Sequence, residues 1–260
     1  MRLFKLAPVL LLLGMGFVPE SHSEEAGAYE RDLSGVWYMR RRSPSSPQSL
    51  WSSAELPFTE YGREVFDNNV PGKGPRQTLP ALGNDPMGSA NPAGLLRTLI
   101  YFRPWEFIQL GDRVIQTFDL GKHWRSIWID GRPSPGEFAA GPFWYGYSVG
   151  RWEGDTLLVT TNNLDGRQWI DDWGTPISEY DAIIEERWRR IDDGRLEMQI
   201  TVIDAEIYSR PWQSDVLVYT RQTADSDMPE PLEQIHAPID EALFNAVIRD
   251  PVAEGKTDPD

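Results

Sequence analysis

The stretch "RLEMQITV", residues 195–202, alternates Arg195, Glu197, Gln199 and Thr201 with Leu196, Met198, Ile200 and Val202. A period of two places the four apolar side chains on one face of a strand, whereas a helix would scatter them around its axis. Outward from it lie "AIIEERWRRI" (182–191), "SDVLVYTR" (214–221), "TLLVTTN" (156–162), "YGYSVGRW" (145–152), "HWRSIWI" (123–129), "RVIQTFD" (113–119) and "EFIQL" (106–110). All are short and rich in β-branched and aromatic residues. Gly111-Asp112, Asp130-Gly131, Glu153-Gly154-Asp155 and Asp192-Asp193-Gly194 punctuate them with the residues that tight hairpin turns require. With a strand at 36–39, eight or nine antiparallel strands are expected. Consecutive hairpins without intervening helices form a meander, which protects its edges best by closing. The expected fold is therefore all-β, an up-and-down antiparallel barrel, with a sandwich as the rival.

Two helices are expected beside the strands. In "PFTEYGREVFDNN" (57–69), Thr59 is an N-cap candidate and Tyr61, Val65 and Phe66 fall at helical spacing. In "APIDEALFNAVIRD" (237–250), Pro238 opens a helix predicted over 238–249, with acids in its first turn and Arg249 in its last. Between Val70 and Leu95 proline and glycine are dense enough to preclude regular structure. A loop of that length often covers or lines a site.

The ends of the chain bound its setting. Residues 1–23 carry Arg2 and Lys5, an apolar run from Leu6 to Val18, and small Ser21 and Ser23. The run of about 13 residues falls short of the ~20 that span a bilayer, so it reads as a cleaved secretory signal with periplasmic or secreted destination and no stable membrane insertion. No cysteine is present, so a core must hold the fold without disulfides. The barrel domain is expected over 24–223, followed by an acidic, Pro-rich segment over 224–260. The formal charge is −15, and the signal's Arg2, Lys5 and Glu20 carry a net +1, leaving −16. Nucleic acid and anionic membranes would repel such a chain.

"DLSGVW", "NDP…NPAG…R", "RPWEFIQLGDRVIQTFD", "HWRSIWIDGRP", "WYGYSVGRWEGDTLLVTT" and "ERWRRIDDGRLEMQITVIDAEIYSRPW" together resemble a largely uncharacterised family of exported bacterial proteins. The "GYSVGRWEGDTL" block is the most specific. The resemblance implies a lipocalin-like (calycin) barrel, and "SGVW" is similar to the Gly-x-Trp that opens lipocalins. The chain departs from that pattern at "GTPIS" (174–178), where relatives tend to read Gly-His-Pro-His-Ser, and at Asn91, where they often have Cys or Asp. If those histidines carry a family reaction or bind a metal, this chain has lost that function or performs it another way.

Past residue 23 the histidines are His123 and His236, too few for a three-His zinc centre, so no metal and no cofactor are expected. Phosphate-binding loops and dinucleotide motifs are missing too. In a strand, His123, Arg125 and Ile127 share one face, and Trp124, Ser126 and Trp128 the other. An imidazole about 7 Å from a guanidinium would serve as general base beside an electrostatic clamp. Tyr147 and Asp171 are candidate assistants. Tyr145, Trp144, Trp169 and Arg187 are candidate substrate-binding residues, with Asp165 and Asp172 in the same loop as Trp169. Eleven tryptophans fit an aromatic pocket for one small hydrophobic or aromatic molecule. The functional expectation is cofactor-free lyase, hydratase or isomerase chemistry on that molecule. A non-catalytic carrier, and a carbohydrate-active protein using Asp165 with Asp171 or Asp172, are the alternatives.

Overall fold

The computed structural model describes residues 31–39, 48–79, 82–135, 142–179 and 181–226. The secretory signal expected over 1–23 and the helix expected over 238–249 both lie outside these residues. Ten strands form one sheet: β1 (Gly35–Tyr38), β2 (Trp105–Gln109), β3 (Arg113–Phe118), β4 (Trp124–Trp128), β5 (Tyr147–Glu153), β6 (Thr156–Asn162), β7 (Ile183–Asp192), β8 (Arg195–Ile203), β9 (Trp212–Gln213) and β10 (Leu217–Arg221). β10 pairs with both β1 and β8, which closes nine strands into a barrel. The two-residue β9 lies on β8 at Thr201 and Val202, beyond the stretch that β10 occupies.

One pairing departs from the expected antiparallel meander. β4 and β5 run parallel, with Ile127 opposite Ser148 and Trp128 opposite Val149. β4 ends and β5 begins at opposite ends of the sheet, so the 18 residues between them in sequence are not the tight hairpin that joins antiparallel neighbours. A second departure is α2 (Leu95–Leu99), set between Gly94 and the start of β2. The predicted first helix is present as α1 (Glu60–Asn68), capped by Thr59, whose Oγ1 accepts from Gly62 N at 2.8 Å and donates to Glu206 O at 2.7 Å. Thr59→Ala is expected to cost about 1 kcal/mol in urea unfolding, the usual worth of such a cap.

The register separates two ends. Tight turns at 110–112, 154–155 and 193–194 close one. The other collects the described parts of the long connections 39–104, 163–182 and 204–216, together with the five-residue link 119–123. Inside, Trp37, Trp105, Phe107, Trp188 and Tyr219 are almost wholly buried. Trp105 meets Phe107, Trp188 and Tyr219 edge-on at 4.8, 5.3 and 5.0 Å. Such contacts add to the burial of large rings and account for a stable core without disulfides. α2 closes the loop-rich end, with Leu95, Leu96 and Leu99 buried and Leu99 O accepting from Tyr219 Oη at 3.1 Å.

Candidate functional site

The face that carries His123, Arg125 and Ile127 points into the barrel: Arg125 and Ile127 are buried, while Trp124 is 63% exposed. Arg125 forms the centre of a buried polar layer. Its guanidinium meets both oxygens of Glu186, Nη1 to Oε1 at 2.7 Å and Nη2 to Oε2 at 2.6 Å, and Nε donates to Gln116 Oε1 at 2.8 Å. Ser148 and Thr161 Oγ atoms complete it at 3.3 and 3.4 Å, and Trp188 Nε1 donates to Glu186 Oε2 at 2.9 Å. Four of the five N–H directions of the guanidinium are engaged, by Gln116, by Ser148 with Thr161, and by the two oxygens of Glu186. Because Arg125 Nε takes the carbonyl side of Gln116, the amide nitrogen is turned away, and Gln116 Nε2 has no hydrogen-bond partner among the described residues although the residue is fully buried.

One layer towards the loop-rich end stands His123. Its ring lies 5.2 Å from that of Tyr145, which stacks on Phe118 at 5.4 Å. Tyr145 Oη reaches Thr98 Oγ1 of α2 at 3.4 Å. Neither imidazole nitrogen hydrogen-bonds to any described residue. Partial burial lowers the His123 pKa below the ordinary histidine value, and burial raises that of Tyr145. Two backbone features set this mouth. Gly121 has φ +72°, and a Cβ there would stand 2.7 Å from His123 Cδ2. Gly146 has φ +61°, which interrupts the strand alternation just before β5. Tyr145 therefore belongs to the turn at the mouth and not to the face of Tyr147.

The expected site residues are thus brought together only in part. Tyr147 is on the outer face, hydrogen-bonded to Arg132, which itself lies 3.6 Å over the Trp128 ring. Arg187 is also outside, lining a groove of about 320 Å³ with Arg151, Glu153 and Glu185. Asp171 is at the loop-rich end but is enclosed: it accepts from Ser49 Oγ, Leu50 N and Thr175 Oγ1 on one oxygen and from Trp173 N and Thr175 N on the other. Thr175 and Ile177, at the "GTPIS" departure, are buried. Trp144 lies under the Arg167 guanidinium at 5.3 Å, and Arg167 pairs with Asp165.

A second polar cluster was not anticipated. Arg97 of α2, buried, donates through Nη1 and Nη2 to both oxygens of Asp85 and through Nε to Asp172 Oδ1 at 2.8 Å. Tyr101 Oη also donates to Asp172 Oδ1, and Lys73 Nζ stands 3.1 Å from Asp172 Oδ2. Trp169, buried, faces the Arg97 guanidinium at 5.9 Å. Burial alone would raise the Asp172 pKa, but Arg97, Tyr101 and Lys73 outweigh it and hold the carboxyl below the usual range. Asp85 and Arg97 are the acid and base of "NDP…NPAG…R". In the sequence Arg97 stands out only as a cation inside "LLRTLI", and Glu186 as an acid between Ile184 and Trp188 on an apolar face.

No described helix is long and apolar enough to cross a membrane, and no group of three or more His, Cys, Asp or Glu among the described residues is placed to hold a metal ion. The fold and the site define a closed nine-stranded β-barrel, capped at one end by its loops, with a polar layer beneath a histidine-bearing mouth. Comparison with known protein families, with curated proteins and with solved structures gives no match.

Proposed function

We propose that this exported barrel binds a small molecule with an apolar or aromatic body and an acceptor oxygen at its loop-rich end, and that His123 exchanges a proton with it without a cofactor. The observation that carries the reading is Gln116 Nε2, a buried donor with no acceptor among the described residues, in the layer next to His123. A donor left unpaired in that setting costs about 1–3 kcal/mol, which a ligand oxygen would recover. The aromatic surface comes from Tyr145 and Phe118, and the proton from or to an imidazole that burial keeps neutral at pH 7. Arg125 acts here as a positioning residue, because its charge is spent on Glu186 and it orients the Gln116 amide. The carrier alternative shares the binding site and lacks the proton step.

Native mass spectrometry of protein purified from its own host tests the reading. The wild type is expected to carry one small molecule that Tyr145→Ala no longer retains. His123→Gln is expected to retain it while lowering its chemical conversion by about 10²–10⁴, the range for a lost acid/base group. Equal retention by wild type and Tyr145→Ala would reject the site. Recovery of an unaltered molecule from the wild type would leave binding and reject the chemistry.

A further inference from the structure

Beside the Arg97 cluster lies a cavity of about 170 Å³ lined by Leu50, Ile100, Tyr101, Phe102 and Asp172. Its walls are apolar and its one charged lining residue is Asp172. At about 30 Å³ per water-sized group, it holds on the order of five or six non-hydrogen atoms. Phe102 is 53% exposed at its rim, so the space is reachable from solvent.

The charges around it define what would enter. Arg97 is committed to Asp85 and to Asp172 Oδ1, and Tyr101 Oη donates to that same oxygen. Asp172 Oδ2 is engaged by Lys73, a side chain 65% exposed that reaches in from outside the cavity. The Lys73 ammonium also stands 5.5 Å from the Tyr101 ring centroid. A cation at this position therefore meets a carboxylate and an aromatic face together, and Lys73 marks where it sits. An ion pair with so exposed a lysine contributes little, so a second ammonium displaces it readily.

We propose that this cavity is a binding site for a small primary ammonium with a short apolar tail, whose head replaces Lys73 on Asp172 while the tail lies among Leu50, Ile100 and Phe102. The site stands apart from His123: on α2, Arg97 serves this cluster and Thr98 serves Tyr145.

The probe is n-butylammonium chloride, titrated into the full chain and followed by ¹H–¹⁵N correlation spectra, with sodium chloride at matched ionic strength as control. Saturable shifts at Ile100, Phe102 and Asp172 are expected with the amine and not with sodium. Lys73→Met is expected to tighten binding about two- to fivefold by removing the competitor. Leu50→Trp fills the cavity and is expected to abolish the shifts; Phe102→Ala, at an exposed position that folding tolerates, is expected to weaken them. Shifts reproduced by sodium chloride, or a saturation curve unchanged by Phe102→Ala and not tightened by Lys73→Met, would overturn the proposal.

Discussion

Replacing Glu186 by Gln is expected to lower the unfolding free energy by about 3–5 kcal/mol, the cost of leaving one member of a buried ion pair uncompensated. Arg125 and Glu186 are both buried inside the barrel, with two charge-assisted bonds between them. A neutral amide returns one acceptor to the guanidinium and turns an N–H₂ against it. Trp188 Nε1 loses its acceptor at the same time or competes with Arg125 for the remaining one. In urea the midpoint is expected to fall by about 1–2 M at the slopes usual for single domains. The double change Arg125→Met with Glu186→Leu is expected to recover part of the loss, since a pair of apolar side chains no longer buries a charge. Recovery stays partial because Gln116 Oε1 and Trp188 Nε1 remain without partners. A loss below about 1 kcal/mol for Glu186→Gln would show that the polar layer is hydrated and not sealed.

Arg97→Met is expected to reverse the pH dependence of the loop-rich end. In the wild type Asp172 titrates below its unfolded value, so its contribution to stability is present above about pH 4 and is lost as pH falls through the lower folded value. Without Arg97, burial becomes the larger influence and pushes the carboxyl up, with Asp85 left nearby as a like charge. The variant then gains stability as pH falls through the new, raised value towards the unfolded one, where the wild type does not. Breaking the pair at neutral pH is expected to cost about 3–5 kcal/mol. Urea midpoints of both proteins between pH 4 and 8 give the test: the gap narrows towards acid if the cluster works this way. A gap independent of pH would show that Arg97 contributes through packing against Trp169 alone.

The period-two pattern around "RLEMQITV" made the barrel legible, because each strand buries one face and a one-residue slip would expose it. Thr59 was legible as a cap for the same local reason. The sequence offers two faces for this strand, and the tryptophan face of Trp124 and Trp128 is as apolar as a core requires. What decides it is long-range: Glu186 lies 61 residues from Arg125 and supplies the countercharge. The Arg97 cluster joins Lys73, Asp85 and Tyr101 of the connection 39–104 to Asp172 of the connection 163–182, and no periodicity relates them. α2 has five residues, too few for helical spacing to show. The parallel β4–β5 pair depends on how an 18-residue connection runs, which composition does not specify. Alternation alone would place Tyr145 on the face of Tyr147, and Gly146 breaks that alternation with its left-handed backbone.

The most direct measurement is the pH titration of the His123 imidazole by ¹H–¹⁵N NMR in the full chain, assigned with His123→Gln. A pKa below the ordinary value of about 6.5 is expected, moving up towards it in Tyr145→Ala as the ring is opened to water. A pKa at or above that value, unmoved by Tyr145→Ala, would place His123 in solvent and contradict the neutral histidine at the barrel mouth on which the proposed chemistry depends.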